Sequence, residues 1–383
     1  MPRIAIITHE YYPVLSGGTV FAEEMAAELS LHGWNVDILT ASVGGDQPAE
    51  EHTRGFRVLR FRTARSSVSD STLREHLSYF LLGLPQMFAR ARAERYDLLF
   101  SIFAIPSGLI SLAISKGLGV PYAVFVDAAD TPGIDSAMRR YVRQLTSIFR
   151  LVTNRADGVV ILEGLEDMAK PHILHSRQEI IPNGAVIPAE VSSPGSHGER
   201  VELLSIGRLV FRKGFREVIA ALASVVQKRN DFHLRIVGYG RGEAEIRSVL
   251  DAHSLTDNVS LVGRVEYSEL GRYYLSSDAY VFYGDREGSS LAMISAAAYG
   301  LPIVASDHPG NRTYVEHGVS GYLVEHGSPE SLARVVLQLL EQRDKLAEMG
   351  RRSREIAERH SWARIAERYQ AFFQRVLSAR ATR

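Results

Sequence analysis

The sequence predicts an α/β architecture made twice over: two parallel-sheet domains joined by a short linker, with a cleft between them. Three observations carry this. Short, continuous apolar runs recur along the chain, as strands buried on both faces require. Helix-length stretches separate most of those runs. One Pro-, Ser- and Gly-rich segment without periodicity, Pro188–Arg200, interrupts the alternation near the middle.

Composition sets the outer bounds. A chain of 383 residues has the length of two or three domains. Its 45% hydrophobic and 23% charged residues are ordinary for a globular protein. Lys+Arg and Asp+Glu both total 44, so no global charge points to nucleic acid or an acidic partner. The absence of cysteine excludes disulfides, thiolate metal sites and a cysteine nucleophile. The opening PRIAIITHE does not read as a signal peptide. No run approaches the ~18 apolar residues of a membrane span. A cytoplasmic protein is expected, with peripheral contact to the inner face of the membrane as a further expectation.

In the first half, Ile4–Thr8 reads as a central strand. A loop with Pro13 and the pair Gly17-Gly18 follows, then a helix ending at Gly33. A strand, a Gly-Gly turn and a helix N-terminus make a phosphate-compatible unit, although G-x-G-x-x-G is absent. A plain βα turn is the alternative. Further strands are expected at Val36–Thr40, Arg57–Phe61, Asp97–Phe103, Tyr122–Val126, Gly158–Leu162 and Glu179–Pro182. In parallel sheets ligands gather beyond the carboxyl ends of strands. The residues to watch are therefore His9, Glu10, Asp127, Asp130 and Glu163.

The second half repeats the alternation, with strands at Val201–Ile206, His233–Gly238, Val259–Gly263, Ala279–Gly284, Pro302–Ser306 and Gly321–Val324. After its first strand, Gly207 and Gly214 flank Arg208 and Lys213. If that loop curls, both cations converge on one point and suit a diphosphate that gains charge as it leaves. The alternative is two solvated loop charges. Gly238 and Gly240 permit close ligand approach, but an ordinary turn explains them as well. The backbone at Arg264 and Val265 could pair with a flat base edge, where an ordinary turn is again the simpler reading.

The stretch Glu287–Asp307 concentrates the chemistry. A carboxylate, Glu287, precedes Gly288, Ser289 and Ser290, and a small-residue helix is expected from Leu291 to Tyr299. Gly300 stops that helix and Pro302 prevents its continuation. A loop opening onto a helix N-terminus is an anion site. With a carboxylate beside it, the site suits a ligand carrying both hydroxyls and phosphates. A helix packed tightly on a sheet is the structural alternative.

No P-loop, nucleophile elbow or zinc pattern occurs. His172 and His175 read as surface-helix residues without a third ligand. The basic amphipathic stretches Met87–Tyr96 and Met138–Arg155 either lie on an anionic membrane or pack on the sheet with a solvated Arg face. The loops Thr63–Leu77 and Asp130–Arg143, where an acceptor site would be shaped, carry no readable motif.

Taken together, these features resemble the retaining glycosyltransferases of family four. The resemblance rests on Pro13 with Gly17-Gly18, on Pro182-Asn183-Gly184, on Gly207-Arg208-Leu209 with Lys213-Gly214, and on Glu287-Gly288 leading into Ala-Tyr-Gly-Leu-Pro-Ile-Val-Ala-Ser. It covers nearly the whole chain. It implies the GT-B fold, two Rossmann-like domains facing each other across a cleft. An acceptor-side domain would span 1–185 and a nucleotide-sugar domain 186–361, with a terminal helix over 362–383 crossing back onto the first.

The resemblance further implies transfer of a sugar from a nucleotide-sugar donor, UDP- or GDP-linked, with retention and without metal or other cofactor. The acceptor would be a sugar, a lipid-linked molecule or a small molecule. Arg208 and Lys213 match the diphosphate pair. Gly17 and Gly18 match the first-domain loop that reaches the donor phosphate. Glu287 matches the first glutamate of the family's Glu, seven residues, Glu motif, and the backbone of Gly288, Ser289, Ser290 and Leu291 matches the segment touching sugar and phosphate.

Two positions depart from the pattern. Ser295 stands where the second glutamate grips the ribose, and Asp127 stands where many relatives have His near the donor sugar. Two rival readings remain: a non-catalytic nucleotide-sugar-binding member, and a GT-B nucleotide-sugar epimerase.

Overall fold

The computed structural model describes residues 1–45, 47–66, 68, 72–134, 142–174, 177–285 and 287–381. His175 and part of each loop without a motif, Thr63–Leu77 and Asp130–Arg143, lie outside them. The chain forms two compact units. One comprises Met1–Ile181 with Trp362–Arg383, the other Pro182–Ser361.

The first unit runs β1 (Arg3–Ile7), α1 (Gly17–Leu31), β2 (Asn35–Ala41), β3 (Glu50–Thr53), β4 (Phe56–Phe61), α2 (Leu73–Ser78), a π turn (Tyr79–Gly83), α3 (Leu84–Glu94), β5 (Leu98–Ile102), α4 (Leu109–Leu118), β6 (Tyr122–Val126), α5 (Val142–Arg155), β7 (Gly158–Leu162), α6 (Glu166–Ala169) and β8 (Gln178–Ile181). Its eight strands are ordered β3-β4-β2-β1-β5-β6-β7-β8. All pairs are parallel except β3 with β4. β1, β5, β6 and β7 are continuous apolar runs because both faces of the sheet are covered.

β3 was not expected. Its sequence, Glu-Glu-His-Thr, has no apolar alternation, and it pairs only at the sheet edge, where charged side chains are tolerated. Arg60 of β4 reaches Glu51 at 2.8 Å and Arg57 reaches Glu50 at 3.3 Å.

The second unit runs β9 (Val201–Ile206), α7 (Phe215–Val226), β10 (Phe232–Val237), α8 (Glu243–Ala252), β11 (Val259–Gly263), α9 (Leu270–Leu275), β12 (Ala279–Phe282), α10 (Leu291–Ala298), β13 (Ile303–Ser306), α11 (Pro309–Arg312), β14 (Gly321–Val324), α12 (Pro329–Glu341) and α13 (Leu346–Arg359). Its six strands, β11-β10-β9-β12-β13-β14, are all parallel. Two apolar layers cover the sheet, one from α7 and α12, the other from α10 and α13.

The final helix, α14 (Trp362–Ala381), belongs to the first unit. Trp362, Ile365, Ala366, Tyr369, Phe373 and Val376 form a buried stripe at helical spacing. Trp362 meets Phe21 edge-on at 5.6 Å, and Phe373 meets Phe100 at 5.0 Å. A Cβ at Gly158 would stand 2.5 Å from the Phe372 ring, so a larger residue at the start of β7 would have to push aside side chains of this helix.

Candidate functional site

In the second unit, the loops following β9, β10 and β12 come together. The first turns back at Gly214, whose φ of +70° and lack of a side chain are both needed: a Cβ there would lie 2.1 Å from the Tyr283 carbonyl oxygen. The Asp285 N–H donates to the Arg212 carbonyl at 2.9 Å and fastens the β9 loop to the segment before Glu287.

This closure gathers the charges. Lys213 Nζ donates to Glu287 Oε2 at 3.1 Å, and Arg212 Nη1 donates to Oε1 of the same carboxylate. Arg208, exposed at the loop edge, acts on both Lys213 and Glu287 through its charge. Burial pushes the Glu287 carboxyl up, but Lys213, Arg212 and Arg208 together outweigh it and hold the group below its ordinary range. Burial lowers Lys213, and its two arginine neighbours lower it further against the pull of Glu287. The Lys213 ammonium also lies 5.3 Å from the centre of the Phe282 ring.

Arg212 was missed from the sequence. Its adjacency to Lys213 was the only available signal, and nothing in the spacing says that both cations turn to the same side.

The segment after Glu287 is held by the start of this unit. The Asn183 N–H donates to Ser289 Oγ at 2.9 Å, and Asn183 Nδ2 donates to the Ser289 carbonyl at 2.6 Å. Tyr314 OH donates to the Asn183 carbonyl at 2.7 Å. Gly288 lies against Gly310, where a Cβ would meet the Gly288 carbonyl carbon at 2.6 Å. Ser290 is the N-cap of α10, but its side chain makes no capping hydrogen bond. Ser289 bonds to Asn183 instead, and Ser290 contributes only its backbone. Leu291 opens the helix, and Gly300 closes it with φ +78°.

Gly238 and Gly240 receive a physical account different from ligand approach. Added Cβ atoms would lie 1.9 Å from the Gly207 carbonyl oxygen and 2.6 Å from that of Leu209. The loops after β9 and β10 are thus pressed backbone to backbone, joined by Leu209 N–H to the Tyr239 carbonyl at 2.9 Å. Arg264, just past β11, lays its guanidinium 5.4 Å from the Tyr239 ring centre, with Val265 beside it. Ser295 faces inward to the Tyr274 hydroxyl, which also donates to the Ala292 carbonyl at 3.2 Å. Tyr299 stacks on the Tyr274 ring at 5.0 Å.

Gly17, Gly18 and Asp127 belong to the first unit. Gly17 begins α1, whose N-cap Ser16 accepts from the Thr19 N–H at 3.1 Å. Gly18 is covered: a Cβ there would meet the Phe103 ring at 2.9 Å and Glu10 Oε2 at 3.4 Å. Asp127, at the end of β6, accepts from the Ala128 N–H at 2.5 Å. The neighbouring Asp130 accepts from the backbone N–H of Asp127 at 3.1 Å and from that of Ala104.

Two parallel α/β units, one carrying a cation cluster beside a helix start, define the class of two-domain, GT-B glycosyltransferases. The chain belongs to the group 1 glycosyl transferases: that family model matches residues 187–356, and the glycosyl transferase 4-like domain matches 16–184. Over 145 residues it is 35% identical to the amylovoran biosynthesis glycosyltransferase AmsK of Erwinia amylovora, a match spanning 36% of each chain. Sucrose-phosphate synthase from Thermosynechococcus elongatus has the same fold, with a TM-score of 0.86 at 19% identity over 99% of this chain and 100% of that one. Anabaena HepE, solved with UDP and glucose, superposes with a TM-score of 0.78 at 16% identity, over 98% of this chain and 100% of its own.

Proposed function

We propose that this chain is a retaining, metal-independent glycosyltransferase that takes a nucleotide sugar, UDP- or GDP-linked, as donor. The acceptor is a hydroxyl of a growing polysaccharide, a lipid-linked sugar or a small metabolite. The observation that carries the reading is the convergence of Arg208, Arg212 and Lys213 around Glu287, beside the start of α10. Cations gathered beside a helix start suit a leaving diphosphate. The UDP bound in HepE supports a nucleotide donor.

The chemistry assigned to Glu287 follows from its surroundings. A carboxylate held low by three cations is a poor base, and it is suited to accept hydrogen bonds from donor-sugar hydroxyls. In the proposed step the acceptor oxygen bonds to the anomeric carbon on the side from which the diphosphate departs. A phosphate oxygen takes the acceptor proton, and Arg208 and Lys213 stabilise the charge left behind. The roles of Gly17, Gly18 and Asp127 at the donor, and the placing of nucleotide and acceptor on the second and first units, follow from the family pattern. The Ser295 hydroxyl, turned to Tyr274, leaves the ribose without a carboxylate at that position.

Ligand-observed NMR against UDP-, GDP-, ADP- and TDP-sugars tests the donor. One nucleotide sugar is expected to bind and to be slowly hydrolysed, and tighter binding by Ser295→Glu would mark the missing ribose contact. No binding at millimolar donor would remove the enzyme reading. Product NMR tests retention, and an inverted anomeric centre would overturn it. Transfer abolished by a chelator would overturn metal independence.

A further inference from the structure

Phe103 ends the apolar run that reads as a strand from Asp97, but β5 stops one residue before it, at Ile102. At Phe103 the backbone turns to φ +74°, a region that a residue with a Cβ occupies only where its surroundings hold it there. Three bonds fix this turn. The Phe103 N–H donates to the Phe125 carbonyl at 3.0 Å, and the Phe103 carbonyl accepts from the Gly108 N–H at 3.1 Å. The third bond involves a side chain: the next N–H, that of Ala104, donates to Asp130 Oδ2. The other oxygen of that carboxyl, Oδ1, accepts from the Asp127 N–H at 3.1 Å. Asp130 therefore bridges the turn after β5 and the turn after β6.

The direction of the Phe103 turn decides where its ring goes. The ring is buried and packs against Gly18, where a Cβ would stand 2.9 Å from it. It also meets the His9 ring edge-on at 5.3 Å. Burial pushes His9 down to about 3 against the pull of Glu10, so a neutral ring faces Phe103. β1, β5 and β6 are neighbours in the sheet. The loops linked through Asp130 and Phe103 are the three that leave their carboxyl ends, where ligands gather in a parallel sheet. Asp127 stands at one end of this chain of contacts, and Gly17-Gly18 at the other.

We propose that Asp130 is a positioning residue. It holds the Phe103 turn, and through the Phe103 ring it sets the Gly17-Gly18 start of α1 in register with Asp127. It acts through these residues rather than on a ligand. Without the carboxyl, the Ala104 N–H loses its partner, Phe103 is freer to leave its positive φ, and the ring moves away from Gly18. The bearing on transfer rests on the proposed donor reading, in which Gly17, Gly18 and Asp127 serve at the donor.

Hydrogen exchange on the full chain tests the link without any ligand. In Asp130→Asn an amide nitrogen replaces one carboxyl oxygen, so one of the two N–H groups loses its acceptor. Exchange at Ala104 or Asp127 should rise. With it, exchange at Thr19 and Val20, whose N–H groups donate to Ser16, should rise by about tenfold. Phe103→Leu keeps the carboxyl bridge and removes the ring, so it should speed Thr19 and Val20 alone. The amides of β9 in the second unit should exchange as in wild type. Unchanged exchange at Thr19 and Val20 in either variant would overturn the proposal. UDP-glucose then separates positioning from packing. Its Kd, read by ligand-observed NMR, should stay within about twofold of wild type. The rate of its hydrolysis should fall about tenfold in both variants. A weakened Kd with an unchanged rate would overturn the positioning role. A wild type that neither binds nor hydrolyses UDP-glucose would count against the donor reading alone, and exchange at Thr19 and Val20 would still decide the link.

Discussion

Each unit withdraws one carboxylate from solvent just beyond the carboxyl ends of its strands, and the two behave oppositely. Asp130 has backbone N–H partners from Ala104 and Asp127, and among the described residues the charge acting on it is another carboxylate, Asp127. Burial, reinforced by Asp127 against those N–H bonds, pushes it up to about 8. Glu287 is the more buried of the two, yet Lys213, Arg212 and Arg208 hold it below its ordinary value of 4.5. Depth alone does not set ionisation: the companions decide. The first arrangement pins two loops together. The second holds a negative charge among cations.

The largest expected effect removes the companions. Lys213→Ala or Arg208→Ala should lower turnover by ~10²-fold or more in a transfer assay. In Lys213→Ala the Glu287 carboxyl should also titrate higher, towards the behaviour of Asp130. Near-wild-type transfer in both variants would remove these cations from the mechanism.

Next in size is a backbone change. Gly214→Ala would press a Cβ into the Tyr283 carbonyl at a positive φ, so a loss of about 3 kcal/mol is expected in urea unfolding of the second unit. Gly18→Ala meets the edge of the Phe103 ring and the Glu10 carboxylate, both side chains, and about 1 kcal/mol is expected. A larger cost at Gly18 would show the first loop to be the tighter of the two.

The pH dependence separates the two carboxylates directly. Asp130 has a folded value near 8 against an ordinary 3.8, so its contribution is full below 3.8 and is lost as pH rises through about 8. Asp130→Asn should flatten that decline, which runs between 3.8 and about 8, in thermal unfolding followed against pH. Glu287 has the reverse sign: its contribution is present above 4.5 and is lost as pH falls through its lower folded value.

The smallest contrast concerns the helix starts. Ser16→Ala should cost ~1 kcal/mol, because its oxygen accepts from the Thr19 N–H, whereas Ser290→Ala should cost only a few tenths. Equal costs would show that Ser290 caps α10 after all.

These differences explain what could be read from sequence. The buried strands were legible because an apolar run of five or so residues between turn signals has few other uses. The helix from Leu291 and its stop at Gly300 were legible from local chemistry. β3 was not, because its side chains are charged and only pairing with β4 makes it a strand. Arg208, Lys213 and Glu287 could be named, but not the Arg212 contact, which depends on how the β9 loop curls. The glycines at 238 and 240 were visible, but their reason was not: it lies in the carbonyls of Gly207 and Leu209, some thirty residues earlier. Likewise, the bond from Asn183 to Ser289 joins positions 106 residues apart.

The placement of α14 has a consequence for synthesis. The second unit is one unbroken segment, whereas the first needs residues from both sides of it. On the ribosome, Pro182–Ser361 therefore emerges whole before the first unit receives the helix that covers Phe21 and Phe100. The unit translated first is the one completed last. Until Trp362 to Val376 arrive, its aromatic residues lack their cover.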